Sequence, residues 1–165
     1  PKKLAFCWSN LDLNEDYEFN EKENIELIKK VIDILEINKL SIERVGFITN
    51  LIKRDADPNK LIKENLLKTQ IENQITSAQL KLTYKASLEI NNNCNLHVTI
   101  VSGYLNDNKE EKVISIQFDV NTHQDEILAW SIDEVGQFIT QAKKKSESKS
   151  IYSTFFSDKY HGTTI

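Results

Sequence analysis

Residues 78–120 read AQLKLTYKASLEINNNCNLHVTIVSGYLNDNKEEKVISIQFDV, and their alternation decides the fold. From Ala78 every second residue is apolar, through Leu80, Leu82, Tyr84, Ala86, Leu88 and Ile90. Between them stand Gln79, Lys81, Thr83, Lys85, Ser87 and Glu89. After an Asn-rich turn the pattern returns at Leu96, Val98 and Ile100, and after a second polar loop at Ile114, Ile116, Phe118 and Val120. A period of two over this length marks strands with one buried and one wet face. Closing the first hairpin over Asn91 to Asn95 pairs Ile90 with Leu96, Leu88 with Val98 and Ala86 with Ile100. The second loop, Asn106 to Glu111, brings Ile114, Ile116 and Phe118 beside Tyr104, Ser102 and Ile100. A slip of one residue would turn the whole apolar set to water, so the faces are strongly specified.

Upstream of this meander, Lys3 to Trp8 form a short strand with Leu4, Phe6 and Trp8 on one face. An acidic loop from Asn10 to Glu23 leads into a helix over residues 21–39. That loop lacks the glycine and closing glutamate of a calcium-binding EF-hand. Asn20 caps the helix, with Glu23 three residues on to complete a capping box. Ile25, Ile28, Val31, Ile32 and Leu35 form its apolar stripe, and Leu27, Ile34 and Ile37 widen it enough to imply a second contact at its flank. Ser41 to Arg54 read as a strand apolar on both faces, hence more central than those of the meander. Asp57-Pro58 opens a second helix with Leu61, Ile62, Leu66 and Leu67 on its buried side. Downstream, Thr122 with Asp125 and Ser131 with Glu134 compete to start a last helix that ends in Lys143-Lys144-Lys145.

The element order strand, helix, strand, helix, three-stranded meander, helix points to an α+β fold. It is a two-layer sandwich, a mainly antiparallel sheet with helices on one face. Residues 1–145 make a single domain, and residues 146–165 a flexible connector and an apolar tail carrying Ile151, Tyr152, Phe155 and Phe156. No apolar run approaches the ~20 residues of a membrane span, and the N-terminus lacks a signal peptide's apolar region. A soluble, cytoplasmic protein is expected. Starting at Pro1 with no methionine, the chain is expected to be processed or part of a longer protein. Cys7 reads as a small core residue and Cys94, in a polar turn, as an exposed thiol.

The net charge is −4, and 19 of the 21 basic residues are lysine. Nucleic-acid readers carry a basic face and favour arginine, so composition argues against a nucleic-acid partner. With four isolated glycines the chain holds no phosphate-cradling loop, and it has neither H-E-x-x-H nor C-x-x-C. Candidate chemistry gathers instead on the wet face of the meander. In the register above, Glu89 faces His97, Asp119 falls near Thr99 diagonal to His97, and His123 lies just past the strand end. Glu89, His97 and Asp119 are the catalytic candidates, and His97, Asp119 and His123 the metal candidates. Such a group suits a divalent metal or acid–base work. It equally suits an ordinary solvated face, where a cross-strand pair contributes about 0.2–1 kcal/mol.

The sequence therefore supports first a non-catalytic interaction or binding domain, part of a larger protein or assembly, with a protein partner or self-association. No cofactor is predicted for it. The alternatives are a metal-assisted hydrolase on the polar face, and a small-ligand-binding domain with a cavity of a few hundred Å³ between the meander's apolar face and the long helices.

Overall fold

A computed structural model describes residues 20–34, 44–67, 76–105, 110–123, 128, 130–147 and 163–164. The strand expected at residues 3–8, Cys7 and the apolar residues Ile151 to Phe156 lie outside the described residues. Helix α1 spans Glu21–Ile34, strand β1 Gly46–Arg54, helix α2 Pro58–Ile62, and a π-helical turn Lys63–Leu67 follows it. The meander is β2 (Gln79–Ala86), β3 (Cys94–Tyr104) and β4 (Lys112–Thr122), after which come α3 (Ile132–Glu147) and the two-residue strand β5 (Thr163–Thr164). The sheet order is β2-β3-β4-β1-β5, and every pairing is antiparallel. This is the α+β sandwich that the alternation implies.

The even-numbered residues of β3 and β4 make the core. Leu96, Val98, Ile100, Ile114, Ile116, Phe118 and Val120 have no exposed surface. They pack with Ile28 and Ile32 of α1, Ile62 of α2, and Val135, Phe138, Ile139 and Ala142 of α3. An antiparallel sheet with one apolar face buries it under helices, so all three helices lie on that side. Helices α1 and α3 approach closely at Gly136, where an added Cβ would stand 3.2 Å from Ile25 Cγ2. Lys29 reaches across the same interface to Asp133 at 2.5 Å.

The caps form as their residues dictate. Asn20 Oδ1 accepts from the Glu23 amide at 3.3 Å, and Asp57 Oδ1 from the Lys60 amide at 3.1 Å. Ser131 wins the competition to start α3: its amide donates to Glu134 Oε2 at 2.6 Å, and the Glu134 amide donates to its Oγ at 3.3 Å. Thr122 instead closes β4, fully buried, with its Oγ1 accepting from the Val45 amide at 3.0 Å. The ring of Trp130, two residues before α3, packs 5.6 Å from that of Phe138 within it.

Several sequence expectations change. Residues 41–54 are not more central than the whole meander: β1 lies further in than β2, but outside β3 and β4, with the two-residue β5 beyond it among the described residues. Its apolar residues serve opposite faces: Leu51 lies on the core face and is buried, whereas Ile48 lies on the polar face, which none of the described helices covers, and is 56 % exposed. Cys94 is a buried thiol, 2 % exposed, its Sγ 3.5 Å from the Asn91 carbonyl. Helix α3 runs on through Ser146 and Glu147, with Ser146 buried and its Oγ donating to the Ala142 carbonyl.

Both meander registers also shift. Ala86 stands opposite Cys94, Tyr84 opposite Leu96 and Leu80 opposite Ile100. The first loop is thus residues 87–93, six residues away in pairing from the expected closure. In the second hairpin Ile114 faces Ser102 and Phe118 faces Val98, a displacement of two. Both displacements are even, so each side chain that lies within the strands keeps its expected face. The first loop keeps Leu88 buried although it lies outside any strand. Its amide donates to the Asn91 carbonyl at 2.9 Å, and Asn91 Oδ1 accepts from the Asn93 amide at 2.7 Å. An asparagine that folds its own backbone competes with the ladder and ends it early.

Candidate functional site

The polar face of the sheet is a lattice of rungs built from odd residues of β2, β3 and β4 and even residues of β1. One rung runs Thr83, His97, Asp119, Ile48; the next runs Lys81, Thr99, Gln117, Asn50. Ladder phasing sharpens the first. The Leu105 amide donates to the Glu111 carbonyl at 2.9 Å, which makes the odd pairs of β3 and β4 the hydrogen-bonded ones. His97 and Asp119 thus share one backbone-bonded rung, with Cα atoms about 5.5 Å apart.

His97 and Asp119 each have another partner on this face. Thr83 Oγ1 lies 3.0 Å from His97 Nδ1, and the hydroxyl donates when the imidazole carries its proton on Nε2. Asp119 Oδ1 accepts from Asn121 Nδ2 at 2.9 Å. One rung on, Gln117 Nε2 donates to Asn50 Oδ1 at 2.8 Å. The face is a set of short polar pairs, half-buried on β3 and β4 except for the buried Asn121, and open to water on β2.

Of the sequence candidates, the fold brings His97 and Asp119 together more closely than expected, as direct neighbours instead of a diagonal pair. It separates Glu89 from them: Thr83, not Glu89, stands opposite His97, and Glu89 is exposed in the loop beyond β2. His123 is half-buried one residue past the end of β4, four positions beyond Asp119. A zinc-type centre requires three or four protein ligands. Among the described residues no three His, Cys, Asp or Glu side chains gather within reach of one ion. His97 and Asp119 provide two such groups.

The clear pKa displacement lies elsewhere. Glu134 is held below the ordinary carboxylate range, first by the Ser131 amide and then by the Ser131 side chain. This is the chemistry of a helix cap, since a carboxylate at the positive end of a helix is favoured in its charged form.

A cleft of about 260 Å³ opens at the start of β2, lined by Ile62, Leu67, Ser77, Ala78, Gln79 and Leu80. Its lining includes no residue of α1 or α3, the long helices against which a ligand cavity was expected. Gln79 and Leu80 belong to opposite faces of β2, so a space touching both sits at the strand's outer edge. Sequence reasoning missed this edge, and it missed the Thr83–His97 and Asn50–Gln117 pairs. The first pair requires the true register and the second requires β1 beside β4; neither is written in a local pattern. Among the described residues no helix is long and apolar enough to cross a membrane. No family model, curated protein or solved structure matches the chain.

Proposed function

We propose that this chain is a non-catalytic interaction domain of a larger protein or assembly, working in the cytoplasm. The supporting observation is the second apolar stripe of α1. Ile28 and Ile32 are buried against the sheet, yet Leu27 is 48 % and Ile34 77 % exposed. They lie seven residues apart, two helical turns, with half-buried Val31 between them. Anchors at i, i+4 and i+7 on one face are the pattern by which a helix enters a partner's groove. A monomer that never met a partner would gain solubility from polar residues there.

Light scattering coupled to size exclusion, with chemical cross-linking, tests the reading on wild type and on a Leu27→Lys/Ile34→Lys variant. The expected result is an assembled species in the wild type that the variant loses, with unchanged melting temperature. Identical mass and identical cross-linked species in both would overturn it.

A second reading, a metal-assisted hydrolase, draws on the shared rung of His97 and Asp119 and no longer includes Glu89. It predicts a rise in melting temperature with added Zn²⁺ or Mn²⁺ that His97→Ala removes, because binding to the native state stabilises it.

A further inference from the structure

The outer side of β2 has no neighbouring strand among the described residues. Ladder phasing tells which groups it presents. The Ser102 amide donates to the Ala78 carbonyl at 3.0 Å, so the even residues of β2 bond inward to β3. The backbone amides and carbonyls of Gln79, Lys81, Thr83 and Lys85 therefore point outward. Side chains of the same four residues lie exposed on the polar face. Across the ladder, Thr99 faces Lys81 and Asn95 faces Lys85, so neither ammonium has a carboxylate opposite it. On the other face Leu80 and Leu82 are half-buried and Tyr84 is exposed. The cleft beside Gln79 and Leu80 adjoins this edge.

We infer that the β2 edge receives an extended acidic segment of another protein, which adds to the sheet as a further strand. Acidic side chains at alternate positions meet Lys81 and Lys85, and an apolar side chain of opposite facing enters the cleft. Main-chain hydrogen bonds then give affinity and the cleft gives selectivity, as in other strand-addition complexes. A second copy of this chain is a poorer occupant, since edge lysines on both copies would be brought together and repel. The inference rests on the interaction-domain reading and assigns it a surface separate from α1.

The test uses the full ¹⁵N-labelled chain and a synthetic peptide of alternating glutamate and valine, as long as β2. A lysine–valine peptide is the control. On binding the acidic peptide, amide hydrogen exchange slows at Gln79, Lys81, Thr83 and Lys85. Exchange at Leu80, Leu82 and Tyr84 is already slow in the free chain. Lys81→Glu with Lys85→Glu weakens binding roughly tenfold, from two cross-strand attractions turned to repulsions, and transfers preference to the lysine peptide. Thr83→Pro removes one outward amide at a position where an edge strand accepts proline, and it weakens both peptides alike. If that variant does not fold, the charge-reversed variant carries the test alone, because both lysines are exposed. No binding, slowing at even and odd amides alike, or indifference to charge reversal would overturn the inference. If the edge fails while the Leu27→Lys/Ile34→Lys variant still loses assembly, the interaction domain stands and only the strand-addition partner falls.

Discussion

From β3, Leu96, Val98 and Ile100 look towards the helices, and Asn95, His97 and Thr99 look away. The first three are wholly removed from solvent; the second three are half-buried. The two faces are made by alternate residues of one strand, so neither backbone conformation nor position in the sheet distinguishes them. What differs is the layer laid over each. Helices α1, α2 and α3 close one face into a packed interior, where each methylene has neighbours on all sides. The polar face is held by separate pairs that can still exchange with water. Sensitivity to substitution should follow that difference.

The strongest way to break the contrast is to charge the buried face. Ile116→Asp puts an unpaired carboxylate among fully buried apolar neighbours, and circular dichroism should find no folded domain at any temperature. Phe118→Ala leaves a cavity instead, and urea unfolding should show a loss of about 3–5 kcal/mol. Thr122→Val tests the one buried hydroxyl at the join between β4 and the start of β1. The Val45 amide then loses its Oγ1 acceptor, for about 1–3 kcal/mol in the same measurement.

Smaller effects belong to the surface. Because the folded pKa of Glu134 lies below its unfolded value, its contribution is present above about pH 4.3 and is lost as pH falls through the folded value. Melting temperatures of wild type and Glu134→Gln should therefore differ most near neutral pH and converge in acid. Thr83→Val on the polar face should change stability by no more than about 0.5 kcal/mol, although it removes the contact to His97. A change there as large as that of Phe118→Ala would mean that something covers this face.

Much of the fold was legible because its signals are local. Asn20, Asp57 and Ser131 cap the helices they precede, since a cap needs only its own side chain and the next turn of backbone. The stripe of α1 at Ile28 and Ile32 is buried as its spacing requires. The candidate site was legible only in part. That His97 and Asp119 share the polar face followed from parity; that they share a rung did not. Glu89 was misplaced because apolar alternation continues past the end of β2, where Leu88 is buried by a loop and not by a strand. The exposed face of β1 at Ile48 was misread as interior, because a run of apolar residues does not say whether anything covers it.

The 78–120 stretch marks where sequence ends and tertiary structure begins. By itself it determined which residues are core and which are wet, because side chains alternate with a period of two and a wrong parity would expose every apolar group. It did not determine the pairing. A displacement by two or by six residues returns apolar side chains to apolar side chains, and the pattern scores it as equal. The turn at Asn91, the bond from Ile90 to Gln141 of α3 and the pairing of β4 with β1 fixed the register that the alternation left open. The turn is local, but the other two join residues distant in sequence, and that is why the place of His97 beside Asp119 and of β2 at the edge could not be read from the pattern.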